Sequence, residues 1–144
     1  MNALSPYLLV IAISWVLAQG LKYLIISIKN HNFKRSLGQL YLSGNMPSAH
    51  SATVTSLLVL IGVREGYNSA IFGLAALFSA IVMYDAMMVR RSSGEQGQAL
   101  AELLKQSKTS IKKPHVAKGH TPSEVIAGAL LGVFVAIIVI FATS

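Results

Sequence analysis

Two histidines in this sequence stand where a polar turn leads into an apolar stretch. His120 lies in the segment GHTPSE (residues 119–124), and His50 ends the segment PSAH (residues 47–50). A helix N-terminus gathers unpaired N–H groups and the positive end of the helix dipole, which together attract anions. Two helix starts that each carry a histidine therefore predict one phosphate group held between them.

The residues that follow His120 predict how its helix begins. Thr121 suits the N-cap, Pro122 suits the first helical position, and Glu124 stands three residues after the cap, as in a capping box. Glu124 is also one turn from His120, so its carboxylate can orient the imidazole as well as cap the helix. Capping alone remains an alternative for this residue.

Phosphoryl transfer needs cations, a nucleophile and a proton donor. A neutral histidine can attack phosphorus, and a second histidine can protonate the leaving oxygen. The charge on the phosphoryl oxygens is stabilised by Lys, Arg and helix N-termini. Charged residues are predicted near the ends of apolar spans: Lys22, Asp85, Arg90 and Arg91.

The composition is that of an integral membrane protein with a single domain, residues 1–144. Hydrophobic residues make up 53% of the chain and charged residues 12%, and the mean hydropathy is +0.60. Soluble domains carry about 25% charged residues. Cysteine is absent, which excludes disulfides and thiolate sites. The net charge of +7 sits in loops between apolar spans, so we expect anionic lipid or a phosphorylated substrate as partner, and no nucleic acid.

The apolar stretches predict an all-α, polytopic membrane helix bundle. Four transmembrane helices are expected, with short interfacial helices in the long polar loops. The amphipathic pattern of Phe33, Leu37, Leu40 and Tyr41 predicts one such helix, and that of Leu100, Leu103, Leu104 and Ile111 predicts another. The expected spans are about 5–28, 47–63, 69–89 and 121–142.

The distribution of basic residues predicts the orientation in the membrane. With four spans, loops 29–46 and 90–120 lie on one side, and both termini lie on the other. Of the 12 Lys and Arg residues only Arg64 falls on the terminal side. The positive-inside rule then places the two loops in the cytoplasm and the termini outside, and we expect a bacterial inner membrane.

Several blocks of this sequence resemble the type 2 phosphatidic acid phosphatase superfamily, which includes the vanadium haloperoxidases. The segments PSAH (47–50) and GHTPSEVIAG (119–128) are similar to two of its signature blocks. The segment YDA (84–86) through Arg91, and Gln19 with Lys22, resemble its divergent bacterial and plant branch. The resemblance extends over essentially the whole chain.

This resemblance implies a membrane phosphatase that hydrolyses a lipid phosphate or pyrophosphate at the cytoplasmic face. It implies catalysis without metal or cofactor, through a phosphohistidine, with vanadate as a phosphate-mimicking inhibitor. The roles it implies are, for catalysis, His120 as nucleophile, Glu124 as its orienting carboxylate and His50 as general acid, and, for phosphate binding, Lys22, Ser48 and Arg90 or Arg91.

Two other classes of function stay open. The sequence has Ala49 where the family has glycine and Glu124 where it has aspartate, which leaves a phosphate- or phospholipid-binding membrane protein with weak or no catalysis as an alternative. A metal site or ion transporter built on the histidines and carboxylates is disfavoured, because Lys22 and the two arginines would repel a cation.

Some of these residues also have purely structural interpretations. Asp85 can pair with Arg90, Arg91 or Lys22 to support the site. Gly128 and Gly132, spaced as in GxxxG, predict close helix packing, either within the bundle or across a homodimer.

Overall fold

Every regular element in the computed structural model is a helix, within the residues that the structure describes: 5–30, 46–107 and 119–143. The all-α bundle predicted from the sequence is therefore confirmed. The elements in chain order are α1 (Pro6–Asn30), α2 (Ala49–Glu65), α3 (Ala70–Tyr84), a π-helical segment (Asp85–Val89), α4 (Arg90–Gln106) and α5 (Pro122–Ala142).

Hydroxyl side chains cap the starts of three of these helices. The Oγ atoms of Ser48 and Ser69 accept the N–H groups of Ser51 in α2 and of Phe72 in α3. At α5 the Oγ1 atom of Thr121 accepts the N–H of Glu124 at 3.4 Å, and Glu124 Oε2 accepts the N–H of Thr121 at 3.0 Å. The predicted capping box is confirmed, and it fixes Thr121, the residue directly after His120, as the N-cap of α5.

The number of spans needs a correction from four to three. Within the described residues, the helices long and apolar enough to cross a membrane are Pro6–Lys29, Ala70–Gln106 and Pro122–Ala142. The predicted span 47–63 corresponds to α2, which has 17 residues. At 1.5 Å per residue α2 covers about 25 Å, short of the roughly 30 Å of a bilayer core.

α2 lies between the other helices, and its polar side chains pack inside the bundle. Ser56 Oγ accepts a hydrogen bond of 2.7 Å from Ser14 Oγ of α1, and the carbonyl of Val54 accepts one of 3.3 Å from Ser79 Oγ of α3. The large apolar side chains of the spans point outward instead, as expected of surfaces that face lipid. Trp15, Leu74, Phe134 and Phe141 are all exposed.

Two glycines of α5 let its backbone approach that of α2. A Cβ on Gly128 would collide with the carbonyl oxygen of Ser48, and one on Gly132 would collide with that of Ala52. The close packing predicted from GxxxG therefore occurs within the chain. This face of α5 is buried against α2 within a single protomer. A homodimer contact through the two glycines would therefore require a surface that α2 already covers.

Side-chain contacts show which helix ends lie together. At one end Tyr7 donates to Glu65, and Arg64 donates to the carbonyl of Thr143 at 2.9 Å. The first described residues of α1 and the last of α5 thus lie beside the end of α2. The end of α1, the start of α2, the end of α3 and the start of α5 lie at the opposite end of the bundle.

The third predicted span does not end at residue 89. The helix continues through the π-helical segment into α4, so the expected surface helix is an extension of the span and not a separate element. Residues 70–106 contain no proline, the residue that most strongly breaks a helix. Leu100, Leu103 and Leu104 lie on α4, whereas Ile111 and the predicted helix of loop 29–46 lie outside the described residues.

Candidate active site

His120 is held at the start of α5 by the carboxylate of Glu124. The Nδ1 atom of His120 lies 3.0 Å from Glu124 Oε2, and the imidazole is buried, with 5% of the residue exposed. A carboxylate accepts hydrogen bonds, so Nδ1 carries the proton in the neutral ring. The lone pair of His120 is consequently on Nε2, the nitrogen that points away from Glu124.

A cavity of about 280 Å³ lies beside His120 at this end of the bundle. His50 at the start of α2 and Arg90 at the start of α4 share its wall with His120, so two imidazoles and a guanidinium face one space. The rest of the wall comes from the last turns of α3 and the π-helical segment: Ile81, Val82, Asp85 and Ala86.

Asp85 pairs with Arg90 across the π-helical segment. Arg90 Nε donates to Asp85 Oδ2 at 2.7 Å, which confirms the pairing predicted for this carboxylate. Both side chains are partly exposed at the cavity, so Arg90 keeps donors for a further anion while Asp85 fixes its position.

Arg91 lies in a different environment from Arg90. Its Nε donates to Glu95 Oε1 at 3.2 Å, and it lines a second cavity of about 310 Å³ with Gln98 and Thr121. His120 reaches this second cavity too. Of the two arginines named from the sequence, the structure brings Arg90 to the space that both histidines share.

Lys22 is buried near the site but is not part of the cavity wall. It is 4% exposed, and its ammonium group interacts electrostatically with Glu124, His50 and His120. The structure thus brings the only basic residue within α1's apolar run to the same end of the bundle as the two histidines.

Burial sets the protonation of His120. Removal from water lowers the pKa of His120 from its ordinary value of 6.5, and the hydrogen bond with Glu124 only partly opposes this effect. The imidazole is therefore neutral at neutral pH, with its lone pair on Nε2.

Ser48 is buried at the start of α2, where it caps the helix. Its Oγ accepts hydrogen bonds from Ser51 N–H at 3.4 Å and from Ser51 Oγ at 3.0 Å, and the side chain is fully buried. Its N–H donates to the carbonyl of Glu124 at 3.0 Å. The cavity that contains both histidines does not include Ser48.

Two contributors to the site were missed from the sequence, and both act through the backbone. The carbonyl of Ala86 accepts the N–H of His120 at 2.9 Å, and Gly119 passes directly over the backbone of Arg91. The glycine before His120 was the available signal for a close approach. No side-chain pattern marks a carbonyl such as that of Ala86.

The described residues also bear on metal binding. Across residues 5–30, 46–107 and 119–143 no three His, Cys, Asp or Glu side chains come together to form a metal site. The carboxylates nearest the histidines are engaged, Glu124 with His120 and Asp85 with Arg90.

Comparison with known proteins gives a family and one relative. Residues 4–135 match the Divergent PAP2 family. The uncharacterized membrane protein YuiD of Bacillus subtilis (strain 168) is 32% identical over 114 residues, which cover 69% of this chain and 72% of the relative. No solved structure matches the chain. From the extent of the family match, together with three helices able to cross a membrane, we conclude that this chain is an integral membrane protein of the Divergent PAP2 family.

Proposed function

We propose that this protein is a phosphatase that hydrolyses a lipid phosphate or pyrophosphate at the membrane surface, with His120 as nucleophile. The observation that carries the proposal is the shared cavity. His120, oriented by Glu124, faces the same space as His50 and Arg90. A nucleophile, a proton donor and a cation around one cavity are the groups that phosphoryl transfer requires.

The first step forms a phosphohistidine. The Nε2 lone pair of His120 attacks phosphorus, and the bond from phosphorus to the leaving oxygen breaks. His50 in its protonated form donates its proton to that oxygen. Arg90 stabilises the charge on the phosphoryl oxygens from within the cavity, and Lys22 does so through its field. Glu124 stabilises the positive charge that develops on the imidazole ring.

The second step returns the enzyme to its starting state. His50, now neutral, takes a proton from water, and the water oxygen attacks phosphorus. The bond between phosphorus and Nε2 of His120 breaks, and inorganic phosphate leaves. His50 is then protonated for the next cycle, and His120 is again neutral.

The apolar part of the cavity supports a lipid as the carrier of the phosphate. Ile81 and Val82 of α3 line the cavity, and Ile81 is 56% exposed on the outer surface of the bundle. An apolar chain lying along α3 would bring its phosphate to the histidines without leaving the bilayer. By the positive-inside rule, we place this end of the bundle at the cytoplasmic face of a bacterial inner membrane. The termini both lie outside, because α2 carries the chain back through the bundle interior even though it is too short to count as a span.

Phosphate release by the purified protein tests the proposal. Wild-type protein in detergent is incubated with prenyl phosphates, prenyl pyrophosphates and diacylglycerol phosphate, beside the variants His120→Ala and His50→Ala. We expect release from at least one substrate, inhibition by vanadate, and loss of release in both variants. Release that survives both substitutions contradicts the mechanism.

The same experiment separates turnover from binding. A phosphate- or phospholipid-binding protein would take up vanadate in a manner that depends on His120 and yet release no phosphate from any of these lipids. That result would reject the phosphatase and leave the binding function.

A further inference from the structure

The π-helical segment leaves one carbonyl of the helix free at the active site. In an α-helix the N–H of Arg90 would donate to the carbonyl of Ala86, four residues earlier. Here it donates to the carbonyl of Asp85, five residues earlier. The carbonyl of Ala86 accepts the N–H of His120 instead, at 2.9 Å. A single π turn thus creates the acceptor that holds the backbone of His120.

The residue before His120 fits this contact because it lacks a side chain. A Cβ atom on Gly119 would lie 2.6 Å from Cα and 2.8 Å from Cβ of Arg91, and still closer to its backbone nitrogen. Any larger residue would push the segment away from the helix, and the hydrogen bond from His120 to Ala86 would break. Gly119 does not adopt the left-handed backbone conformation that favours glycine. Glycine is therefore needed at this position for the close approach to Arg91.

The same π turn brings Asp85 and Arg90 together. Residues five apart on an α-helix point about 140° away from each other, because each residue turns the helix by roughly 100°. The wider π turn reduces that angle, and Arg90 Nε reaches Asp85 Oδ2 at 2.7 Å. The π turn therefore helps to position both Arg90 and His120 at the cavity.

We propose that the π-helical segment Asp85–Val89 and Gly119 form a positioning device that sets His120 in the cavity through the carbonyl of Ala86. In this proposal the backbone groups act through His120 and not by contact with the substrate. The inference rests on the proposed function insofar as His120 is the nucleophile. Its structural content, the hydrogen bond between His120 and Ala86, can be measured independently of turnover.

Gly119→Ala tests the device, with Gly73→Ala as its matched control. A Cβ on Gly73 of α3 meets no atom within 4 Å, so the control adds the same methyl group without a collision. We expect Gly119→Ala to lower kcat for phosphate release by about 100-fold, as a displacement of about 1 Å does, with a small change in KM. The control should keep wild-type kcat.

Deletion of Met88 tests the π turn itself. The side chain of Met88 is exposed, and the deletion converts the turn to α-helical winding. Asp85 and Arg90 would then stand four residues apart, a spacing at which α-helical ion pairs form, so the pair is retained. The carbonyl of Ala86 would then accept an N–H group of its own helix. The N–H of His120 should lose its acceptor, and the protein should lose most of its activity.

Amide hydrogen exchange of His120, followed by NMR in detergent, decides the inference even if the wild type shows no turnover. We expect slow exchange in the wild type and in Gly73→Ala, and exchange at least about 10-fold faster in Gly119→Ala and in the Met88 deletion. Fast exchange in the wild type, or unchanged exchange and kcat in both altered proteins, would overturn the inference. Absence of phosphate release from the wild type, by contrast, would count against the proposed function alone.

Discussion

The backbone N–H of Ser48 donates to the carbonyl oxygen of Glu124 at 3.0 Å. This bond joins the start of α2 to the first turn of α5, and the close approach of Gly128 to Ser48 keeps the two helices in contact there. His50 lies in the first turn of α2, and His120 directly precedes the N-cap of α5. The cavity that they share therefore depends on backbone packing between α2 and α5.

Substitution of Gly128 by alanine should separate the two helix starts. The added Cβ would collide with the carbonyl of Ser48, and overpacking of this kind costs about 1–3 kcal/mol. We expect a lower thermal unfolding midpoint in detergent and loss of phosphate release. Gly20→Ala in α1 adds a methyl group where no atom lies within 4 Å and should leave both unchanged. Equal behaviour of the two variants would show that the close approach is unimportant.

Glu124→Gln should reduce catalysis more than stability. A glutamine carbonyl can still accept the N–H of Thr121 and cap the helix, but it no longer stabilises a positive His120. We expect kcat to fall by about 10- to 100-fold, with the unfolding midpoint nearly unchanged. Ser123→Ala, in the same turn, is the control and should retain wild-type kcat. A Glu124→Gln variant that is destabilised yet fully active would assign the carboxylate to capping alone.

Arg90 and Arg91 should differ in their importance for phosphate binding. Arg90 lines the cavity with both histidines, whereas Arg91 pairs with Glu95 at the other cavity. A charge-assisted hydrogen bond contributes about 1.5–3 kcal/mol, so Arg90→Ala should weaken vanadate inhibition roughly 10- to 100-fold. Arg91→Ala should weaken it much less. The reverse order of inhibition constants would place the phosphate on the other side of His120.

Lys22→Met should lower phosphate affinity without unfolding the protein. The lysine is buried near the site, so its removal takes away one positive charge and leaves an apolar side chain of similar length. We expect inhibition by vanadate to weaken about tenfold or more, and the unfolding midpoint to stay equal or rise. Lys29→Met, at the exposed end of α1, is the matched control. Equal inhibition of the two variants would mean that the charge of Lys22 does not reach the phosphate.

The depressed pKa of His120 predicts a loss of stability in acid. Burial lowers the pKa of His120 in the folded protein, while the unfolded chain keeps a value near 6.5. Below pH 6.5 the unfolded chain therefore binds more protons, and the free energy of unfolding falls until the pH passes the folded pKa. Wild-type protein should lose stability between pH 7 and 5 relative to His120→Gln, measured by thermal unfolding. An NMR titration midpoint of His120 at or above 6.5 would contradict this prediction.

Local patterns in the sequence were enough to predict where α5 starts. The order Thr121, Pro122, Glu124 defines a capping box by covalent spacing alone, and the carboxylate four residues after His120 follows from the same turn. The helical class and the membrane location follow from long apolar stretches. An ion pair of Asp85 with Arg90, Arg91 or Lys22 was also predicted, but the choice of Arg90 and the π-helical geometry of the pair were not.

The length of α2 shows where sequence patterns fail. The apolar pattern of residues 47–63 resembles a span, yet the helix is too short to count as one and lies inside the bundle. Hydropathy reports the preference of a segment for an apolar environment, and the interior of a helix bundle satisfies that preference as lipid does.

The sequence by itself determined which groups stand at the helix ends, because capping residues, prolines and apolar runs act over a few positions. The tertiary structure alone decided that Arg90 and not Arg91 shares the cavity of His50 and His120, and that the carbonyl of Ala86 holds His120. Both depend on the rotation of one helix relative to another. A single π turn changes that rotation, and side-chain identity carries no direct record of it.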